Sequence, residues 1–221
     1  GSTRTLIGTV PVADFAHGVA VDPGTHTVYV TSAAKAAGIL SVIDGSTHTV
    51  TATVALGRYP GGVAVDPVTQ TVYVANGDRV QVIDPLTRTV TGAVILGDAA
   101  VGVAVDPGTH TVYAVNMFAG TVSVIDGSTR QVTATVPVGR SARGVAVDPV
   151  THVVYVVNND PEHSSPGRVS VIDGSTRRVT TTVPAGDTPD KVAVDSVSHT
   201  AYAINSASHG GKGTLWVIDP R

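Results

Sequence analysis

The chain carries eight histidines, a single glutamate and no cysteine, and these residues bound the chemistry it can do. Thiol catalysis, thiolate metal sites and disulfides are excluded. Three histidines, His17, His163 and His209, sit where no pattern of the chain requires a histidine. Glu162 stands beside His163, with Asp160 close by. Imidazoles and a carboxylate that converge can hold a divalent metal or move protons near neutral pH. His17, His163 and His209 are therefore the candidate metal ligands. With Arg143 and Glu162 they are the candidate ligand-binding set. Arg58, Arg79, Arg140, Arg143 and Arg168 offer guanidinium forks suited to carboxylate or phosphate. The plainer alternative for them is surface pairing with Asp78, Asp98, Asp160 and Asp187, which is worth little. No serine elbow, phosphate-binding glycine loop or helix-borne histidine pair occurs.

What positions these residues is a repeat. Gly-Val-Ala-Val-Asp begins at Gly18, Gly62, Gly102 and Gly144, and Lys-Val-Ala-Val-Asp begins at Lys191. The steps are 44, 40, 42 and 47 residues, the length of one four-stranded propeller blade. Each unit holds a first strand, a tight turn, a second strand with a tyrosine (Tyr29, Tyr73, Tyr113, Tyr155, Tyr202), a loop, a third strand ending in Val-Ile-Asp, a second turn and a fourth strand. The period-2 alternation at Val19, Val21, Val42 and Val50 is that of strands with one face buried.

The expected fold is all-β: a five-bladed β-propeller of four-stranded antiparallel blades. Blades fall near residues 14–57, 58–97, 98–139, 140–186 and 187–221, within one domain spanning 1–221. Residues 2–12 match the fourth-strand segment 128–138. Residues 1–13 are therefore expected to act as a latch, completing the last blade by pairing residues 6–12 with 214–218 and removing a free sheet edge.

The segments Tyr29-Val30-Thr31-Ser32, Tyr73-Val74-Ala75-Asn76 and Tyr155-Val156-Val157-Asn158, each preceded by Ala-Val-Asp-Pro, resemble the YVTN β-propeller repeat. The resemblance covers essentially the whole chain. It speaks for the fold and says almost nothing of activity. Many members have seven blades, so five is a departure. Members are often secreted, surface-attached or sensor ectodomains of bacteria, which implies an extracytoplasmic location.

Following the chain, first-to-second and third-to-fourth strand turns share one face, and the remaining loops share the other, here the top. The bottom turns are near copies, whereas top loops 32–38, 76–79, 116–120, 158–167 and 205–213 share little. A unique site on a repeating scaffold belongs where the repeat breaks. His26, His110, His152 and His199 share one bottom-turn slot, filled by Gln70 in the second blade, and are expected to be structural. His17 precedes a first strand, where the other blades have Gly61, Val101, Arg143 and Asp190. Phe15, Tyr59, Met117 and Phe118 lie in or near top loops and could line a pocket or a partner surface.

The formal net charge of -3 gives no global footprint for nucleic acid or anionic membrane, and no apolar run is long enough to span a bilayer. The expectation is a monomeric, non-enzymatic binding, sensor or protein-interaction domain. It takes a small molecule or protein at one top-face site, with no certain cofactor and a divalent metal as the candidate. The alternative is a metal-dependent lyase or hydrolase using top-face His and Glu. A lectin with one sugar site per blade is disfavoured because the top loops do not repeat.

Overall fold

Valine-rich segments punctuated by Asp-capped turns fold into nineteen strands in the computed structural model, which describes residues 5–34, 37–159, 166–206 and 212–219. Blade 1 holds β1 (Ala16–Asp22), β2 (Thr27–Ser32), β3 (Gly38–Asp44) and β4 (Thr49–Gly57). Blade 2 holds β5 (Pro60–Asp66), β6 (Thr71–Asn76), β7 (Arg79–Asp84) and β8 (Thr89–Ile95). Blade 3 holds β9 (Ala100–Asp106), β10 (Thr111–Asn116), β11 (Thr121–Asp126) and β12 (Gln131–Pro137). Blade 4 holds β13 (Ala142–Val147), β14 (Val153–Asn158), β15 (Arg168–Asp173) and β16 (Arg178–Pro184). Blade 5 holds β17 (Pro189–Asp195), β18 (Thr200–Asn205) and β19 (Thr214–Ile218). Every sheet is an antiparallel meander, and the five form a five-bladed β-propeller with the first strand of each blade innermost. Among the described residues there is no helix long and apolar enough to cross a membrane.

The turns explain the repeated residues. The aspartate ending each inner strand caps the turn that follows: Asp66 Oδ1 accepts from the Val68 amide at 2.9 Å, and Asp106 Oδ1 from the Gly108 amide at 3.0 Å. The turn closes on a residue in the left-handed region, at φ 53° in His26, 55° in Gln70 and 60° in His152. Short polar side chains and histidine tolerate that conformation better than β-branched ones.

The core lies between blades. Each blade presents a tyrosine face to the next blade and a valine face to the previous one. Tyr73, Val80 and Val82 of blade 2 pack on Val103, Val112 and Ile125 of blade 3. Tyr113, Val122 and Val124 of blade 3 meet Val154, Val156 and Ile172 of blade 4 in the same way. The tyrosines of the second strands were expected in the core: Tyr29, Tyr73, Tyr113 and Tyr155 are buried, whereas Tyr202 of blade 5 is only part-buried.

The seam between blade 5 and blade 1 is different. Four seams have apolar clusters, and β1 and β17 are not packed as the other neighbouring inner strands are. Val19 on the valine face of blade 1 is 67% exposed, against 7% for its counterpart Val63. Val217 on the tyrosine face of blade 5 is 63% exposed, against 1% for Val82.

The latch is likewise not made: residues 5–13 form no strand, Leu6 and Ile7 are exposed, and the fifth sheet has three strands among the described residues. The physical cause lies at the axis. A Cβ at Gly102 would stand 2.6 Å from the Arg143 carbonyl oxygen, and one at Gly144 2.8 Å from that of Asp190. Neighbouring blades approach this closely only because the slot is glycine. Blade 5 has Lys191 there, so blade 1 cannot close on it at the same spacing.

Candidate functional site

Each inner strand carries a bulge at its top end. In β1 the ladder jumps from Ala16 to Gly18, leaving His17 unpaired. In β17 it jumps from Pro189 to Lys191, leaving Asp190 unpaired, and in β13 from Ala142 to Val145, around Arg143. Bulges re-aim side chains and recur beside functional sites. The same slot holds Gly61 in blade 2 and Val101 in blade 3, and of these bulge residues His17, Val101 and Arg143 line the axis.

The axis holds a cavity of about 340 Å³ lined by residues of all five blades, among them His17, Arg143 and Lys191. The wall from blades 2 and 3 is Gly62, Val63, Val101, Gly102 and Val103. The charged wall therefore comes from blades 4, 5 and 1. An Arg143 guanidinium nitrogen lies 3.7 Å from Asp190 Oδ1. Arg143 Nε is buried and makes no hydrogen bond among the described residues. Partial burial and the Lys191 ammonium hold His17 below the usual imidazole pKa, with Asp190 pulling the other way. Arg143 and Lys191 against Asp190 leave this wall one positive charge in excess while His17 is neutral.

Two exposed aromatics stand just before the inner strands of blades 1 and 2. Phe15 and Tyr59 occupy equivalent corners leading into β1 and β5, both exposed and both in the left-handed region, at φ 56° and 63°. Bulky residues rarely adopt that conformation, which makes these corners outliers worth a functional reading.

Of the candidate residues, His17 and Arg143 line the same cavity. Glu162, His163 and His209, with Asp160, lie outside the described residues. Among the described residues, no group of three or more His, Asp or Glu is placed to hold a metal. Arg79 pairs with the adjacent Asp78 at 2.8 Å, an exposed contact. Lys191 and Asp190 are the site residues that sequence reasoning passed over. The signal was the lysine replacing glycine in an otherwise unbroken Gly-Val-Ala-Val-Asp.

The repeated turn histidines have a defined task. His110 Nδ1 meets Asp66 Oδ2 of the preceding blade at 2.8 Å, His152 meets Asp106 at 2.6 Å, and His199 meets Asp148 at 2.7 Å. One carboxylate oxygen caps its own turn and the other receives the next blade's imidazole. Burial raises the Asp148 pKa, but the Thr151 hydroxyl, the Val150 amide and His199 outweigh it and bring the group below the usual carboxylate value. His26, at the open seam, faces no such partner: Asp195 is exposed and bonds its own turn through Val197 and Ser198.

No protein-family model matches this chain, and no curated protein matches it. Among solved structures the chain is similar to one of Kuenenia stuttgartiensis hydrazine synthase, with 18% identity and a TM-score of 0.83, over 100% of this chain and 67% of that one. At that identity the likeness is one of fold, the β-propeller-like architecture already described.

Proposed function

We propose that this chain is a non-enzymatic binding domain that takes a small anionic organic molecule at the top mouth of its central cavity. The reading is carried by Arg143 and Lys191 lining one cavity of about 340 Å³. A carboxylate or phosphate oxygen would pair with the Arg143 guanidinium and draw on the Lys191 ammonium. Guanidinium and ammonium groups suit such oxygens, and charge-assisted bonds are the stronger ones. Phe15 and Tyr59, exposed at the entries to β1 and β5, offer aromatic surface to an apolar body. A β-propeller fold is compatible with a binding or interaction role. The repeat's resemblance to the YVTN family supports placing the domain outside the cytoplasm, as a sensor or surface module. The metal-dependent alternative depends on His163 and His209, and no observation favours it over the anion site.

Calorimetric titration with benzoate and with inorganic phosphate tests the proposal. Binding to the wild type that is lost in Arg143→Gln supports it. Absence of binding, or equal binding in both proteins, overturns it.

A further inference from the structure

We infer that the cleft between blades 3 and 4 on the bottom face is a binding site for a neutral sugar ring. The top loops do not repeat, but the bottom turns do, and the seams joining blades 1 to 4 each leave a cleft there. The clefts share one plan. The aspartate ending a third strand lines the cleft together with an arginine from the third-to-fourth strand turn of the next blade. The pairs are Asp44 with Arg88, Asp84 with Arg130, and Asp126 with Arg177. Each arginine holds the left-handed position of its turn. In blade 1, which has no formed seam behind it, that position is His48.

The cleft between blades 3 and 4 is the one with groups to spare. It measures about 300 Å³, room for one ring. Tyr113 lines it and is 1% exposed, yet its hydroxyl makes no hydrogen bond among the described residues. The Tyr73 hydroxyl, by contrast, donates to the Gly127 carbonyl at 3.4 Å. Arg177 gives a single bond, to the Thr133 carbonyl at 3.4 Å, where Arg130 gives two to Thr91. Asp126 Oδ1 caps its own turn, accepting from the Ser128 and Thr129 amides. The Thr129 amide, then that of Ser128, hold the carboxyl below its usual pKa, and Arg177 adds to this. Asp126 is therefore a carboxylate acceptor at neutral pH.

Both oxygens of Asp106 are taken within the protein, by the Gly108 amide and the His152 ring. What remains is one negative and one positive group, Asp126 and Arg177, so neither a cation nor an anion finds a net partner. No Val, Leu or Ile lines the cleft, so an apolar side chain finds none either. A hydroxyl both donates and accepts. A ring carrying several can give to Asp126 and take from Arg177 and Tyr113 at once.

Backbone-amide NMR titration with D-glucose, D-galactose, D-mannose and N-acetyl-D-glucosamine tests this. At least one of the four should shift the Ser128, Thr129 and Ser175 amides saturably. Asp126→Asn keeps an oxygen to cap the turn, and Arg177→Gln changes an exposed side chain. Each should weaken binding about tenfold or more, as expected for a lost bond to a charged group. Tyr113→Phe removes a hydroxyl with no partner in the protein and should weaken it about threefold or more. Amide spectra that otherwise match the wild type show the variants to be folded. No saturable shift with any of the four sugars, shifts confined to the top mouth, or Asp126→Asn or Tyr113→Phe binding as the wild type does overturns the inference.

Discussion

His152 Nδ1 of blade 4 lies 2.6 Å from Asp106 Oδ2 of blade 3, although 46 residues of chain separate them. Asp106 is fully buried, so its second oxygen depends on this imidazole.

Replacing His152 by Asn keeps a side chain that tolerates the left-handed turn but shortens it beyond reach of Asp106. A buried acceptor stripped of its partner should lower stability by about 1–3 kcal/mol. His26→Asn removes the same residue from the same turn at the open seam, where nothing is lost, and should stay within about 0.5 kcal/mol. Chemical denaturation of the two variants side by side checks the contrast.

Tyr113 is buried against blade 4, and Tyr113→Ala should cost on the order of 3–5 kcal/mol. Its phenol also predicts alkaline behaviour. Burial, then the nearby Asp106 carboxylate, push its pKa up to about 12. The folded value is above the unfolded one. The stability it contributes is therefore complete below about pH 10 and is lost as pH rises toward 12. Tyr113→Phe has no phenol to ionise, and its loss of stability over that interval should be smaller. Denaturant midpoints measured between pH 9 and 12 would show the difference.

At the cavity mouth, burial and Lys191 hold His17 below the ordinary imidazole pKa of about 6.5. Proton NMR titration should find His17 protonating below the ordinary imidazole range as pH falls. Lys191→Gly should move it upward. A midpoint in that variant identical to the wild type would separate the two residues.

The first thirteen residues were expected to hold the propeller shut. With residues 5–13 unpaired, deleting residues 1–13 should leave the thermal midpoint of the single chain unchanged. A marked fall in the midpoint at dilutions where the protein is a single chain would restore the latch.

The fold was legible because the signals agree at several levels: valine alternation, turn chemistry and a tyrosine at one position in every blade. The site was half legible. His17 and Arg143 stood out because they break a repeat, and both line one cavity. Lys191 did not stand out, because one lysine for glycine looks like tolerated variation in a strand. Its meaning appears only in the structure, where the glycine of the same slot in blades 3 and 4 would place a Cβ 2.6 and 2.8 Å from the next blade's backbone and Lys191 itself lines the cavity. The pairing of His110, His152 and His199 with aspartates was hidden for a similar reason. Residues 44 to 51 apart are brought together by blade packing, which no local pattern encodes.

The open seam also changes how the molecule should yield under load. In a sealed ring the first blade to leave must break two interfaces at once. Here each terminal blade is held on one side only, so a pull on the ends should peel the propeller from its edge in successive steps. Each step would release one repeat of 40–47 residues, or about 140–160 Å of extended chain. The force trace would be a row of similar teeth in place of one high barrier.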